Sequence, residues 1–285
     1  MSTLRYDVHV SGMAPVATAA LTLPDGSEGA WSPLAHTLIH GPTEAALVDP
    51  PITLGQAVEL GDWIESFGKR LTAIYLTHGH ADHWLGTQPL VDRFPGVTVY
   101  ATQTTIDAIR TTAPDGQATG IWPALFPGQI PATTFEAVTV PEDGFQVDGH
   151  TLHAVRAGHS DTDNTTVLHV PSIGLVAAGD VVYNNVHLYL AEAANGGLDA
   201  WRHALNVVES LAPANVVSGH QDKSRGNHPS DIAETRLYLD ATETVLAGRP
   251  SRREYFDRTV ELFPDRVNPL TVWLSAMRLL PETVE

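Results

Sequence analysis

Apolar and polar positions along this chain follow two periods, and the places where one gives way to the other mark its elements. Ala45–Asp49 is a short apolar run stopped by Pro50-Pro51, which reads as a buried strand. From Leu54 to Phe67 the apolar positions Val58, Trp63, Ile64 and Phe67 take helical spacing, and Gly68 supplies a C-terminal cap. Leu71–Thr77 reads as a strand, Trp84–Phe94 as a helix, Val97–Tyr100 as a strand and Thr102–Arg110 as a helix. Residues 113–135 break the pattern with Pro114, Pro123, Pro127 and Pro131, and predict a long irregular segment, either a lid over a pocket or a loop tucking its aromatics into the core. Short strands follow at Ala137–Val140, Phe145–Val147, Thr151–Arg156, Thr165–Val170 and Leu175–Ala178, with Asp148-Gly149 as a hairpin turn. Leu198–Leu211 is a helix and Asn215–Ser218 a last buried strand; beyond Pro229 three helices run at about 230–247, 252–262 and 269–280. Residues 1–30 give no firm pattern. The strand–helix alternation of the two halves predicts two αβ layers packed face to face.

Bulk composition narrows the chemistry. The chain has 285 residues, 43% of them apolar, which is enough for one large domain or two closely packed halves. Its formal charge of −17 repels polyanions, so nucleic acid is not expected as a partner. No apolar run approaches membrane-spanning length, and the start lacks the basic-then-apolar order of a signal peptide, so a cytoplasmic protein is expected. There are no cysteines, which excludes disulfides, thiolate nucleophiles and cysteine-bound zinc. Any transition metal would be held by His, Asp or Glu.

Such ligands are concentrated in Thr77-His78-Gly79-His80-Ala81-Asp82-His83, directly after a predicted strand. In an extended segment His78 and His80 point the same way, whereas Asp82 and His83 need a turn to aim elsewhere. That geometry suits two neighbouring metals better than one. Further candidates also stand past strand ends: His159 in Gly158-His159-Ser160-Asp161, Asp180 after Gly179, and His220 after Gly219, with Tyr183 three residues beyond Asp180. The preceding glycines let the backbone turn sharply. Asp49 is a candidate to accept an imidazole proton and fix a ligand's tautomer.

On these motifs the chain, over roughly residues 35–225, resembles the metallo-β-lactamase fold superfamily of metallohydrolases, especially dinuclear members such as glyoxalase II and the N-acyl homoserine lactonases. The resemblance implies a four-layer αββα sandwich of two mixed β-sheets with helices on both outer faces. The helical tail is an extension, giving a hydrolase domain over 1–228 and a C-terminal helical extension over 229–285 packed on it. It further implies that His78, His80 and His159 bind one metal, that Asp82, His83 and His220 bind the second, and that Asp180 bridges both. Two divalent ions are expected, zinc foremost on ligand grounds.

Such a pair of ions supplies a bridging hydroxide at neutral pH to attack a carbonyl. Asp82 would pass a proton to the leaving group, and Tyr183 would either donate to the oxyanion, as the corresponding tyrosine does in the lactonases, or simply pack. The leading expectation is therefore hydrolysis of an ester or lactone of a small, largely uncharged substrate. Trp122 and Phe126 of the irregular segment, and His187 beyond Asp180, are the expected substrate contacts. A glutathione thioester hydrolase, a β-lactam hydrolase and a mononuclear iron dioxygenase are the alternatives on the same fold. For the C-terminal helices three roles are open: completing the pocket, covering the core or forming a homodimer contact.

Overall fold

The computed structural model describes residues 3–17 and 21–282; the outermost residues of the two predicted segments lie outside the described residues. One sheet is built around Leu34–His40, whose seven residues are all buried. Glu44–Val48 pairs antiparallel with it, and Arg70–Tyr75, Thr98–Ala101 and Ala137–Thr139 follow in parallel. On its other edge lie Arg5–Ser11 and, at its start, His220–Gln221 and then Tyr183–Asn184. The second sheet has the order Asn215–Val217, Leu175–Ala177, Thr165–Val170, His150–Gly158, Phe145–Val147.

Alternation along the strands divides their side chains between two cores. Ile39, Ala46, Val48, Ala73 and Tyr75 face Leu152, Leu168, Val170 and Val217 of the other sheet. The alternate residues Leu38, Ala45, Leu47 and Ile74 meet Leu60, Ile64, Leu90, Ile106 and Ile109 of the helices outside. On the far side Val167, Val176 and Val216 pack against Trp201, Leu205, Val208, Tyr238 and Leu239. The result is the predicted four-layer αββα sandwich. Each fully buried Leu, Ile or Phe contributes about 1.5–3 kcal/mol of transfer free energy. The parallel neighbours are joined by helical crossovers, Leu54–Ser66 and Thr87–Arg93. The first begins at a Thr53–Gln56 capping box, and Gly68 past its end takes a φ of +63°.

Two elements differ from expectation. The helix foreseen at Trp84–Phe94 starts only at Thr87. Before it, Ala81–His83 forms a single 3₁₀ turn, and the buried Trp84 indole donates to the Gly79 carbonyl at 3.1 Å. A regular helix from Trp84 would break the tight turn that separates the aims of His80 and His83. Residues 5–11, without a firm reading in the sequence, form an antiparallel strand whose half-buried Tyr6, Val8 and Val10 alternate with Asp7 and His9.

The three C-terminal helices, Ser230–Ala247, Arg252–Leu262 and Leu270–Leu279, are stitched to the segment after Asp180. Thr235 Oγ1 accepts from the Tyr183 amide at 3.1 Å, and Ser275 Oγ accepts from the Leu190 amide at 2.8 Å. Arg266 donates to the Val186 carbonyl at 2.7 Å while its guanidinium covers the Tyr238 ring, 4.8 Å from the centroid. No helix among the described residues is long and apolar enough to cross a membrane.

Candidate metal centre

Glu44–Val48, Arg70–Tyr75, His150–Gly158, Leu175–Ala177 and Asn215–Val217 all finish at one rim of the sandwich, and each is followed by a candidate ligand. Parallel strands, and strands two apart in an antiparallel run, end on the same side, so topology alone gathers residues far apart in the chain.

At that rim the ligand atoms of Asp82, His83 and His220 lie within 4.8 Å of one another. Asp180 joins them: its Oδ1 is 3.3 Å from His83 Nε2 and its Oδ2 3.0 Å from His220 Nε2. Beside them His78 and His80 converge with Asp161. His80 Nδ1 is 2.5 Å from Asp161 Oδ2, and His78 Nε2 is 3.5 Å from it.

The opposite ring nitrogens are tied down, which sets the tautomers. His83 Nδ1 donates to Asp49 Oδ2 at 3.1 Å, and His220 Nδ1 to the Pro33 carbonyl at 3.0 Å. The Thr77 hydroxyl donates to Asp49 Oδ2 at 2.7 Å, so at 2.9 Å it accepts from His78 Nδ1. His80 is held the other way round, with Nε2 donating to Glu192 Oε1 at 3.0 Å. As metal ligands, imidazoles so arranged would turn the lone pairs of His78, His83 and His220 Nε2 and of His80 Nδ1 into the site. Asp49, at φ +54°, holds both Thr77 and His83.

Buried polar atoms are nearly always hydrogen-bonded. Here His78 Nε2, His83 Nε2, Asp161 Oδ2 and Asp180 Oδ1 are buried without a hydrogen-bond partner, and all four face this rim. Space is reserved there as well. A Cβ on Gly219 would stand 2.1 Å from Asp180 Oδ1 and 3.1 Å from His83 Cε1. Gly179, at φ +48°, lets the chain turn tightly against Thr77, where a Cβ would lie 2.7 Å from the hydroxyl. Burial works against charge on Asp180, yet His220 and His83 outweigh it and hold its pKa well below the ordinary carboxylate range. Burial likewise opposes charge on His83, and Asp180 and Asp82 outweigh it, pushing its pKa well up. These carboxylates and imidazoles are thus close enough to perturb one another strongly. These residues fit a pair of divalent cations: His78 and His80 on one side, Asp82, His83 and His220 on the other, Asp180 against them.

The remaining expected residues fall in different places. His159 joins neither cluster. Its Nδ1 lies 2.8 Å from Asp163 Oδ1, and its buried Nε2 has no partner beside Gly197. The register shift between Arg156 and Gly158, with Gly158 at φ +102°, turns the loop so that Asp161 takes the inner position. The Tyr183 hydroxyl donates to Asp180 Oδ2 at 2.7 Å, so it is engaged on that carboxylate. Trp122 lines the cavity above the rim and packs edge-on against Trp31, ring centroids 4.9 Å apart. Phe126 is not at the cavity; it is 3% exposed in the helix-side core, where its apolar ring is drawn with Leu125. Nor is His187 there. It is buried with Nδ1 3.0 Å from the Tyr238 hydroxyl, and burial pushes its pKa down to about 3. Sequence reasoning passed over Trp31, whose indole donates to Asp82 Oδ2 at 2.9 Å, and Glu192, which also accepts from Thr162. Neither stands in a motif, and only folding brings them to the rim. Asp161 did carry a signal, as an acid two residues after His159.

The cavity, about 110 Å³ in volume, is walled mainly by Trp31, Ile121, Trp122, Tyr189, Leu270 and Leu274, with the ligand carboxylates on its floor. A cluster of candidate metal ligands at the rim of an αββα sandwich, beneath an apolar cavity, marks a class of metal-dependent hydrolases. The metallo-beta-lactamase superfamily model matches residues 36–220, and the chain belongs to that superfamily. Among solved structures, it is similar to the DIM-1 metallo-beta-lactamase exposed to ceftazidime, with a TM-score of 0.60 at 17% identity over 84% of this chain and 97% of that one. The metallo-beta-lactamase from Pontibacter korlensis superposes with a TM-score of 0.56 at 19% identity, covering 82% and 99%. At these identities the likeness is one of fold. In sequence it matches hydroxyacylglutathione hydrolases from Blochmanniella pennsylvanica, 42% identical over 57 residues, and Parasynechococcus marenigrum, 41% identical over 58. Each match spans 20% of this chain and only about a fifth of the relative, 21% and 22%.

Proposed function

We propose that the chain is a dinuclear metal-dependent hydrolase that opens an ester or lactone of a small, largely uncharged substrate. One observation carries this reading: two adjoining ligand clusters form the floor of a cavity whose walls are apolar and whose lining residues include no lysine or arginine. Divalent cations, zinc by ligand type, would supply Lewis acidity there and bring the pKa of bound water toward neutrality.

The chain's own side chains have separate tasks. Trp31 fixes the Asp82 carboxylate by its indole N–H and leaves it facing the cavity, where it can carry a proton to a leaving alkoxide. Tyr183 positions Asp180 through its hydroxyl. The aromatic pair Trp31–Trp122 and the leucines of the last helix exclude water around an acyl chain. The same reading makes it a cytoplasmic enzyme with a small-molecule substrate, whose last helix walls the pocket and whose other C-terminal helices are open to a homodimer contact.

A second reading is hydrolysis of a glutathione thioester. The short matches to hydroxyacylglutathione hydrolases favour it, and a cavity without cationic side chains for glutathione's carboxylates weighs against it. The deciding experiment is a metal-reconstituted preparation assayed on lactones, aryl esters, glutathione thioesters and a chromogenic cephalosporin. Chelator-sensitive turnover greatest on uncharged esters or lactones supports the proposal. Preference for the thioester or the cephalosporin, or activity that survives rigorous chelation, refutes it.

A further inference from the structure

We propose that Asp161, in the position where the superfamily pattern expects His159, is the third protein ligand of the cation held by His78 and His80. The assignment rests on the dinuclear reading above and specifies one of its two sites.

Three independent features of the loop point to it. First, the carboxylate is divided in function: Oδ1 accepts from the Ser160 hydroxyl at 2.9 Å, while Oδ2 is buried and has no hydrogen-bond partner. Second, that free oxygen approaches His80 Nδ1 to 2.5 Å and His78 Nε2 to 3.5 Å, without the alignment of a hydrogen bond to either. Three such atoms converging from separate side chains are arranged as ligands around a cation. Third, Asp161 lines the cavity, whereas His159 does not. The His159 ring is engaged behind the loop by Asp163, with Nε2 only 2.9 Å from where a Cβ on Gly197 would stand.

The backbone explains the exchange. The register shift before Gly158 and the Ser160 amide bond to the Thr162 carbonyl at 2.9 Å fold the loop back on itself, carrying residue 161 inward over His80. The other side of His80 is closed by Glu192, which Thr162 of the same loop also holds. The rim thus buries three carboxylates, Asp82, Asp161 and Asp180, beside one another. Two imidazoles and a carboxylate also form a harder donor set than three imidazoles, so this site is more tolerant of manganese or iron in place of zinc.

The test is metal binding rather than turnover. Apo wild-type protein, D161N, D161E and H159N are titrated with Co²⁺, followed by visible absorption, and metal per chain is counted by mass spectrometry after dialysis. Near-UV circular dichroism checks the fold. D161N is expected to lose one of two ions, its first-site affinity falling roughly tenfold or more. D161E, which keeps the carboxylate, should retain part of that affinity, and H159N should bind both ions as the wild type does. Loss of an ion from H159N, whether or not D161N also loses one, overturns the assignment, as does full binding by D161N. If D161N fails to fold, the D161E and H159N titrations decide: H159N losing an ion, or D161E binding no first ion, overturns it. A wild-type chain that takes up no divalent ion overturns the dinuclear reading itself, a result distinguishable from wild-type binding that depends on His159.

Discussion

Asp49 touches no cation in the proposed arrangement, yet D49N should loosen both ions. The carboxylate accepts from the Thr77 amide at 2.9 Å, the Thr77 hydroxyl at 2.7 Å and His83 Nδ1 at 3.1 Å. An amide can satisfy the first with its oxygen. Its NH₂ then faces two groups that were donating. The Thr77 hydroxyl can rotate to accept, but His83 must give up its Nδ1 proton. That moves the proton to Nε2, the atom 3.3 Å from Asp180 Oδ1 and aimed into the site, and blocks its lone pair. The rotated Thr77 hydroxyl also turns toward His78 Nδ1 and disturbs that tautomer in the same sense. Groups holding a metal-bound histidine in this way are worth about 10–100-fold in affinity, or about 1.4–2.7 kcal/mol. Because asparagine tolerates the positive φ of position 49, the fold should persist; D49A would add a backbone cost of about 1 kcal/mol. The assay is competition for zinc against a chromophoric chelator, with circular dichroism as the fold control. A folded D49N that holds both ions as tightly as the wild type would refute the tautomer argument.

Other consequences are equally specific. G219A places a methyl group on Asp180 Oδ1, so the folded variant should bind fewer than two ions per chain by elemental analysis. W31F removes the indole donor from Asp82; kcat on the preferred ester should fall about tenfold, the worth of a hydrogen bond to a charged group, with metal content unchanged. Acid should destabilise the fold through His36 and His187, both depressed to about 3, chiefly by burial. Unfolded histidine titrates near 6.5, so between these values the unfolded chain binds more protons and stability is lost as pH is lowered, by about 2 kcal/mol per histidine at pH 5. Urea melts of H187F should show a shallower loss from pH 7 to pH 5 than the wild type; parallel slopes would count against this account.

Much of this architecture was legible because local rules and packing agree. The Thr53–Gln56 pair, Gly68 and the apolar spacing between them define one helix at every level. Asp148 and Gly149 both take the positive φ their turn demands. The histidine run was legible for a chemical reason, since few folds place so many imidazoles together without a cation. What stayed hidden depends on long-range closure. Whether His159 or Asp161 turns inward is decided by a register shift against Thr165–Val170. His187 reads like a pocket residue until Tyr238, 51 positions away, buries it. Trp31 reaches Asp82 across the same 51 positions and no spacing rule foretells it.

The division of labour at the cavity has an evolutionary implication. Its reactive floor comes from strand ends within the stretch shared across the superfamily, residues 36–220, but Leu270, Thr271 and Leu274 come from the final helix. Part of the cavity wall is thus encoded outside the stretch shared with the superfamily, while Ile121, Trp122 and Tyr189 lie within it. A lineage exchanging its tail would reshape that side of the cavity and leave the ligand-bearing strand ends in place, provided the newcomer still offered a hydroxyl like Thr235 to steady Tyr183.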